Sequence, residues 1–419
     1  MTIIEFFDRA PIENIISSLT MKADKVIFVG TGKRMERQGA ELHKFLMRKG
    51  IKSEFQYIHI NKHDLWSIVK TLESIVECES ECVFDLNGGE DLLLVAMGIV
   101  YERHRMHKHI EMHRYNIRNG AVSDCDGDGI ILPMSNYKLL VVDNIALHGG
   151  AVRSAGFDMH LGDAMKKELD ENFKSDVLKL WSVCKISPSN WNHCISILNE
   201  FDGTEDAQSD STNSVIELQH VFSRKGGADK IKRLLELLAK IENTDCIYNL
   251  NLSGDILSFS YKNMHIKQCI AKAGTVLELT TMFLAMRSKC ADGSNLFTDA
   301  LTGVCIDWDG ELHHGSESVL DVENEIDVFL MKGLIPILIS CKNGLVGSDE
   351  LYKLRTVANR FGGNYARRIL VTTYTSSNPK SRESLRTRAK EMDIELIENV
   401  HLMTNDEFAR KLYNVGNQR

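Results

Sequence analysis

Residues 322–344 read VENEIDVFLMKGLIPILISCKNG, and the second half of the chain is organised around this run. It resolves into two apolar stretches joined at Lys332-Gly333, with glycine where a tight turn calls for positive φ. Side chains alternate along a strand, so Glu325 and Asp327 fall on one face of the first stretch. Ser340 and Lys342 share a face of the second. Antiparallel pairing then sets a carboxylate pair beside a lysine on an otherwise apolar sheet. Charges in such a place cost free energy unless they hold something. A carboxylate that takes Mg²⁺ or Mn²⁺, with a lysine beside an attacking water, supplies the parts that phosphodiester hydrolysis needs. Taken alone, the D–x(12)–S-x-K spacing also fits a surface hairpin with solvated charges.

Upstream, residues 275–288 (TVLELTTMFLAMRS) have the composition of an apolar helix that carries one acid, Glu278. A lone acid on such a helix most often faces solvent. Strands are expected over 301–307, 324–331, 336–341 and 368–373, and a helix over 349–361. The segment IYNLNLSGDILSFSYKN that begins at Ile247 alternates around Ser253-Gly254-Asp255, a hairpin signal.

A helix-borne Glu followed by Asp and x-x-Lys on adjacent strands is the order of the PD-(D/E)XK, or restriction-endonuclease-like, fold. The chain resembles the CRISPR ancillary nucleases in five places: Gly274 to Glu278, NEIDV from Asn324, ISCKNG from Ile339, Leu351 with Leu354, and FGG from Phe361. Those proteins join an N-terminal CARF (CRISPR-associated Rossmann fold) sensor to a C-terminal nuclease domain. The resemblance is strongest over 270–373. It implies that Asp327 is a metal ligand, Lys342 the catalytic lysine and Glu278 the second acidic position, with Glu325 a further candidate ligand. It also implies an activator, cyclic tetra-adenylate, seated on the two-fold axis of a homodimer. One departure stands out: the third motif of the fold is (D/E)-x-K, and position 340 is Ser. A neutral hydroxyl is a poor ligand for a hard cation, so Glu278, Glu325 or a backbone carbonyl near Cys341 would have to complete the shell.

The first 115 residues alternate strand and helix, with strands at 25–30, 54–60 and 81–87 and helices at 34–49, 62–77 and 90–102. This pattern predicts a parallel sheet with helices on both faces. Ligands bind such sheets beyond the carboxyl ends of the strands. Those ends carry Gly30-Thr31-Gly32-Lys33-Arg34 and Asn87-Gly88-Gly89-Glu90-Asp91. Neither run is a phosphate-loop signature: Ile27 stands where Walker A needs its first Gly, Arg34 follows Lys33, and position 35 is Met. DLNGGED resembles the strand–loop–helix motif of CARF domains, whose amides sit at a helix N-terminus. Thr31, Lys33 and Asn87 offer donors. Glu90 and Asp91 are expected to turn to ribose hydroxyls or to the helix N-terminus rather than to phosphates. The bland alternative is a tight glycine turn.

A chain of 419 residues with 43% hydrophobic and 26% charged content suits two or three soluble domains. We expect a Rossmann-like sensor over 1–155, a small helical middle over 156–245 that a winged helix would also fit, and a restriction-endonuclease-like α/β nuclease domain over 246–419. The polar segment 200–214 reads as a loop or wing. No apolar run approaches the length of a membrane span, the N-terminus lacks a secretory pattern, and ten scattered cysteines include no CxxC. These features point to reduced thiols and a cytoplasmic location. The net charge of −8 argues weakly against a general nucleic-acid coat, yet residues 351–419 hold 13 Lys/Arg against 7 Asp/Glu. Such a local basic face suits an enzyme that touches phosphates in one place. DNA and RNA both remain open as substrates. Three further patterns read as decoys: the EF-hand-like Asp124, Asp126, Asp128 and Gly129; the cluster of His104, His107, His109 and His113; and His313-His314. Two other functions fit the residues. One is a ligand-responsive DNA-binding regulator with a dead nuclease-like domain, which Ser340 favours. The other is a constitutive repair or restriction nuclease whose first domain only dimerises.

Overall fold

In the computed structural model, residues 1–8, 10–117, 121–126, 131–132, 138–156, 171–202, 211–222, 226–308, 310 and 323–417 are described. They divide into two units, one of Met1–Leu139 and one built on Leu140–Lys332 and Pro336–Gln418.

The first unit alternates β1 (Thr2–Phe6), α1 (Ile16–Met21), β2 (Lys25–Gly30), α2 (Lys33–Arg48), β3 (Glu54–His59), α3 (Leu65–Cys78), β4 (Glu81–Asp85), α4 (Asp91–His104) and β5 (His109–Asn116), then β6 (Ala121–Asp124) and β7 (Ile131–Leu132). Five parallel strands run in the order β3-β2-β1-β4-β5, and β6 and β7 extend the edge antiparallel. Strands covered by helices on both faces must be apolar throughout, and Val26, Ile27, Phe28 and Val29 are all buried. Alternate residues feed opposite layers: Ile4, Ile27, Val29 and Phe84 pack on one side, and Ile3, Val26, Phe28 and Val83 on the other. Every strand and helix expected here is present. The expectations lacked β1, which lies at the centre of the sheet. The strand order reverses between β1 and β4, and ligands of open α/β sheets bind at such a reversal.

The second unit holds α5 (Val141–Leu147), β8 (Ala151–Ser154), α6 (Glu171–Cys184), α7 (Pro188–Asp202), β9 (Asn213–Glu217), α8 (Gln219–Phe222), α9 (Gly227–Glu242), β10 (Ile247–Ser253) and β11 (Ile256–Tyr261). It continues through α10 (Met264–Ala271), α11 (Thr275–Met286), β12 (Asp299–Asp307), β13 (Glu323–Lys332), β14 (Ile335–Lys342), α12 (Asp349–Gly362), β15 (Arg367–Thr372), α13 (Pro379–Glu391), β16 (Ile394–Ile397) and α14 (Asn405–Asn417). A six-stranded mixed sheet runs β16-β15-β14-β13-β12-β8. Its centre is the hairpin β13–β14, with antiparallel β12 on one side and parallel β15 on the other. The turn falls at Gly333, whose φ is +61°.

Two boundaries differ from expectation. Residues 140–154, expected in the first domain, lie in the second unit, where β8 pairs antiparallel with β12. The hairpin β10–β11, expected to open the nuclease domain, pairs instead with β9 in a separate three-stranded sheet. Its buried side chains Leu257, Phe259 and Tyr261 explain this, since Ile216 of β9 lies opposite Leu257 and is itself buried. Residues 203–210, read as loop or wing, fall outside the described residues, as do Asp128, Gly129, His313 and His314.

Among the described residues no single helix is long and apolar enough to cross a membrane. The bent pair α10–α11, which passes on length and composition, is rich in buried core residues of the second unit. All ten cysteines are free thiols.

Candidate functional site

The β13–β14 hairpin delivers the expected cluster. Asp327 lies near the middle of β13, and Ser340 and Lys342 close β14. Three donors converge on one oxygen, Oδ2 of Asp327: the backbone N–H of Cys341 at 2.6 Å, the Ser340 hydroxyl at 3.1 Å and the Lys342 ammonium at 3.4 Å. None of these bonds uses Oδ1. Gly303 of β12 sits between the Thr302↔Val328 and Val304↔Ile326 pairs, beside Asp327. Its φ is +56°, and a Cβ there would meet only ordinary contacts, with the Gly156 backbone at 3.5 Å and Glu325 Oε1 at 3.9 Å, so the backbone conformation rather than space calls for glycine. Glu325 itself is exposed.

Glu278 enters from α11. Gly274, the N-cap of that helix, has no side chain to obstruct it, and Glu278 Oε1 lies 2.8 Å from where a Cβ would stand. Burial, then the charges of Asp327 and Glu325, push the Glu278 carboxyl up to about 8. At neutral pH, without a cation, Glu278 is therefore mostly protonated. The Cys341 thiol, 3.6 Å from Thr281 Oγ1, links the same helix to β14, and burial raises that thiol well above the ordinary range.

One residue of the cluster escaped sequence reasoning. Glu350, in the first turn of α12, places Oε2 3.4 Å from Lys342 Nζ, so two carboxylates flank the lysine. Burial works to lower the Lys342 pKa, but Asp327 and Glu350 outweigh it and leave the pKa above the ordinary value. The only signal available was an acid eight positions after Lys342 at a helix start. Asn343 anchors the strand end: its Nδ2 donates to Asn192 Oδ1 at 2.8 Å and lies 3.5 Å from the Ala273 carbonyl. Trp191, the residue before Asn192 on α7, donates to the same carbonyl at 3.2 Å. The elements that present Lys342 and Glu278 are thus tied to one helix.

The donor set consists of hard carboxylate oxygens, which suit Mg²⁺ or Mn²⁺. Two features fit a divalent cation: a carboxyl, Glu278, that burial and then the charges of Asp327 and Glu325 push up, and Asp327 Oδ1, which the hairpin's own donors leave aside. Among the described residues no three or more of His, Cys, Asp and Glu form a ready cage. That holds for the histidine-rich strand too: Glu111 Oε2 lies 2.8 Å from His113 Nε2, and His109 approaches Glu81 and Glu111 at 3.5 Å.

In the first unit, both glycine loops border the end of β1. A Cβ on Gly30 would lie 3.4 Å from Phe7 Cβ, one on Gly88 3.2 Å from Asp8 Cβ, and one on Gly89 3.3 Å from Phe6 Cβ. Gly89 has φ +119°, which side-chain-bearing residues rarely adopt. The loop after β1 therefore lies between the two expected ones, at the reversal of strand order. Asp85 and Asn87 set the second loop: Asp85 Oδ1 accepts the Asn87 N–H at 2.8 Å, and Asn87 Oδ1 accepts the Tyr115 N–H at 2.6 Å. Burial holds Asp85 and its neighbour Glu5 above the usual carboxylate range. Thr31 and Gly32 are exposed, while the side chains of Lys33 and Arg34 lie outside what is described. Glu90 differs from expectation: its Oε1 pairs with Lys62 Nζ at 2.8 Å. Asp91 sits in the first turn of α4.

No family model matches the sequence, and no curated protein does. Solved structures do. Protein VC1899 from Vibrio cholerae is similar with a TM-score of 0.69 and 15% identity, covering 99% of this chain and 98% of that one. Can2 from Sulfobacillus thermosulfidooxidans, solved in complex with cyclic tetra-adenylate, is similar with a TM-score of 0.64 and 14% identity, covering 100% and 97%. At such identities the likeness is one of fold, and it extends over essentially the whole length of both proteins.

Proposed function

We propose that this chain is a metal-dependent nuclease, switched on by a cyclic oligoadenylate in type III CRISPR defence. The observation that carries the reading is the convergence of Ser340, Cys341 and Lys342 on Asp327, with Glu278 driven toward neutrality beside it.

In this reading a bound Mg²⁺ or Mn²⁺ supplies positive charge that polarises a phosphoryl oxygen and makes hydroxide available. The remaining work falls to the side chains. The Cys341 amide and Ser340 hydroxyl hold Asp327 in one orientation through Oδ2, and Oδ1 is the oxygen that would be left to hold the cation. Lys342, kept cationic by its two carboxylates, stabilises charge growing on the phosphate and positions the water. The two flanking carboxylates favour its charged form, which suits that electrostatic role. Attack at phosphorus forms one P–O bond and breaks another, and the leaving oxygen departs with a proton from solvent. Exposed Lys380, Arg388 and Lys390 on α13 suit a nucleic-acid backbone, and Arg388 donates to Ser348 at the start of α12, the helix of Glu350.

The activator is assigned to the loops that end β1, β2 and β4, with the Gly88-Gly89 amides near its phosphates or riboses. A homodimer follows from the symmetry of a cyclic tetranucleotide, and one helix face favours it. On α4, Leu92 and Val95 are 38% and 50% exposed. Gly98, on the same helix, has nothing within 4 Å of its would-be Cβ. Mid-helix glycine costs about 1 kcal/mol against alanine, which close approach of a second copy would explain. Ser340 favours a second reading, a ligand-responsive regulator without cleavage. The test is cleavage of DNA and RNA by purified full-length protein with cyclic tetra-adenylate and Mn²⁺, against EDTA. No cleavage alongside retained ligand and DNA binding supports the regulator instead.

A further inference from the structure

The hydrolytic cluster has a charge problem at position 340. In the (D/E)-x-K arrangement two acids face one lysine, leaving net negative charge for a cation. Here Ser340 contributes none, so on the hairpin Asp327 stands alone against Lys342. Asp327 alone would be cancelled by Lys342, 3.4 Å away. A hairpin whose one acid is neutralised by its own lysine attracts a dication poorly.

Glu350 restores the count. Its Oε2 lies as close to Lys342 Nζ as Asp327 Oδ2 does, 3.4 Å in each case, so the lysine is shared between two acids. The Glu350 side chain is only 21% exposed. Its other oxygen meets Lys353 at 3.0 Å, but Lys353 is 68% exposed and solvent screens that pair. The acid comes from α12 rather than β14, and position 350 lies in the first turn, where the helix dipole favours a carboxylate.

We propose that Glu350 is the carboxylate that replaces the acid missing at position 340, acting behind Lys342 to keep Asp327 available to the cation. It is a positioning residue: it acts through Lys342 rather than on the substrate. This inference rests on the nuclease reading, and the experiment separates their failures. Mn²⁺ affinity of the full chain is measured calorimetrically for the parent, for Glu350→Gln and for the double variant Ser340→Glu/Glu350→Gln, with circular dichroism to confirm folding. Glutamine preserves shape and removes charge. Losing such a supporting carboxylate weakens metal affinity about 10- to 100-fold. The double variant, with its acid back on β14, should return to within about 3-fold of the parent, and its cleavage should recover alongside. If Glu350→Gln binds Mn²⁺ as tightly as the parent, or the double variant stays as weak as the single one, the assignment is overturned. A parent that binds no Mn²⁺ and cleaves nothing overturns the nuclease reading itself, and this inference with it.

Discussion

Replacing Glu278 with glutamine keeps the side chain's shape and removes an ionisation that the fold resists. The folded-state pKa of about 8 lies well above the 4.5 of an unperturbed glutamate. Between those values the folded protein holds a proton that the unfolded chain releases, so this group makes stability fall as pH rises from about 4.5 to about 8. At roughly 1.36 kcal/mol per pKa unit, the full shift amounts to roughly 3.5 kcal/mol between pH 5 and pH 8. Glu278 is only half-buried, and solvent screening brings the working figure down to about 2 kcal/mol. In EDTA, Glu278→Gln should therefore gain about 2 kcal/mol on the parent at pH 8 relative to pH 5. For a unit of this size that is a shift of about 5 °C in melting temperature. The quantity to measure is the double difference, variant against parent across pH, because other buried acids such as Glu5 titrate identically in both proteins. Saturating Mn²⁺ should stabilise the parent at pH 8 more than the variant, since the cation relieves the same repulsion. Parallel pH curves for the two proteins in EDTA would refute the claim that Asp327, Glu325 and burial act on Glu278.

Three further outcomes follow from the geometry. Lys342→Ala should abolish cleavage without weakening Mn²⁺ binding, because it removes a positive charge 3.4 Å from Asp327; a large loss of Mn²⁺ affinity in calorimetry contradicts that role. Gly89→Val must force φ near +119° on a β-branched residue already close to Phe6, so ligand should no longer raise its melting temperature. The parent gains about 2.7 kcal/mol at 100-fold ligand excess over Kd, and an equal gain in the variant would place the sensor site elsewhere. Val95→Asp puts a charge on the exposed face of α4 and should shift sedimentation from dimer to monomer; an unchanged dimer means another face carries the contact.

The sequence exposed the strands and helices with strong periodicity and hid those whose reason is tertiary. The β13–β14 hairpin was legible because alternation, a glycine turn and three polar residues agreed. β1 was not, because it is five residues long and includes Glu5, which is buried beside Asp85; no local pattern announces a buried acid. β8 is the short, mostly polar-edged run AVRS, and only its pairing with β12 makes it a strand. The hairpin β10–β11 was visible, but its partner β9 lay across an intervening helical stretch. In the site, Asp327, Ser340 and Lys342 come together as strand alternation suggested, and Glu278 lies near them in the order the resemblance implied. Glu350 could not be read, because its place beside Lys342 depends on how α12 returns across the sheet.

The most direct test of the central claim is one cleavage assay on the full-length protein. Single- and double-stranded DNA and RNA are each incubated with Mn²⁺ or EDTA, with and without cyclic tetra-adenylate, alongside Asp327→Ala. The account predicts cleavage of at least one substrate only when Mn²⁺ and the cyclic nucleotide are both present, and none by Asp327→Ala. Equal cleavage without the nucleotide would contradict the sensor assignment, and undiminished cleavage by Asp327→Ala would contradict the catalytic one.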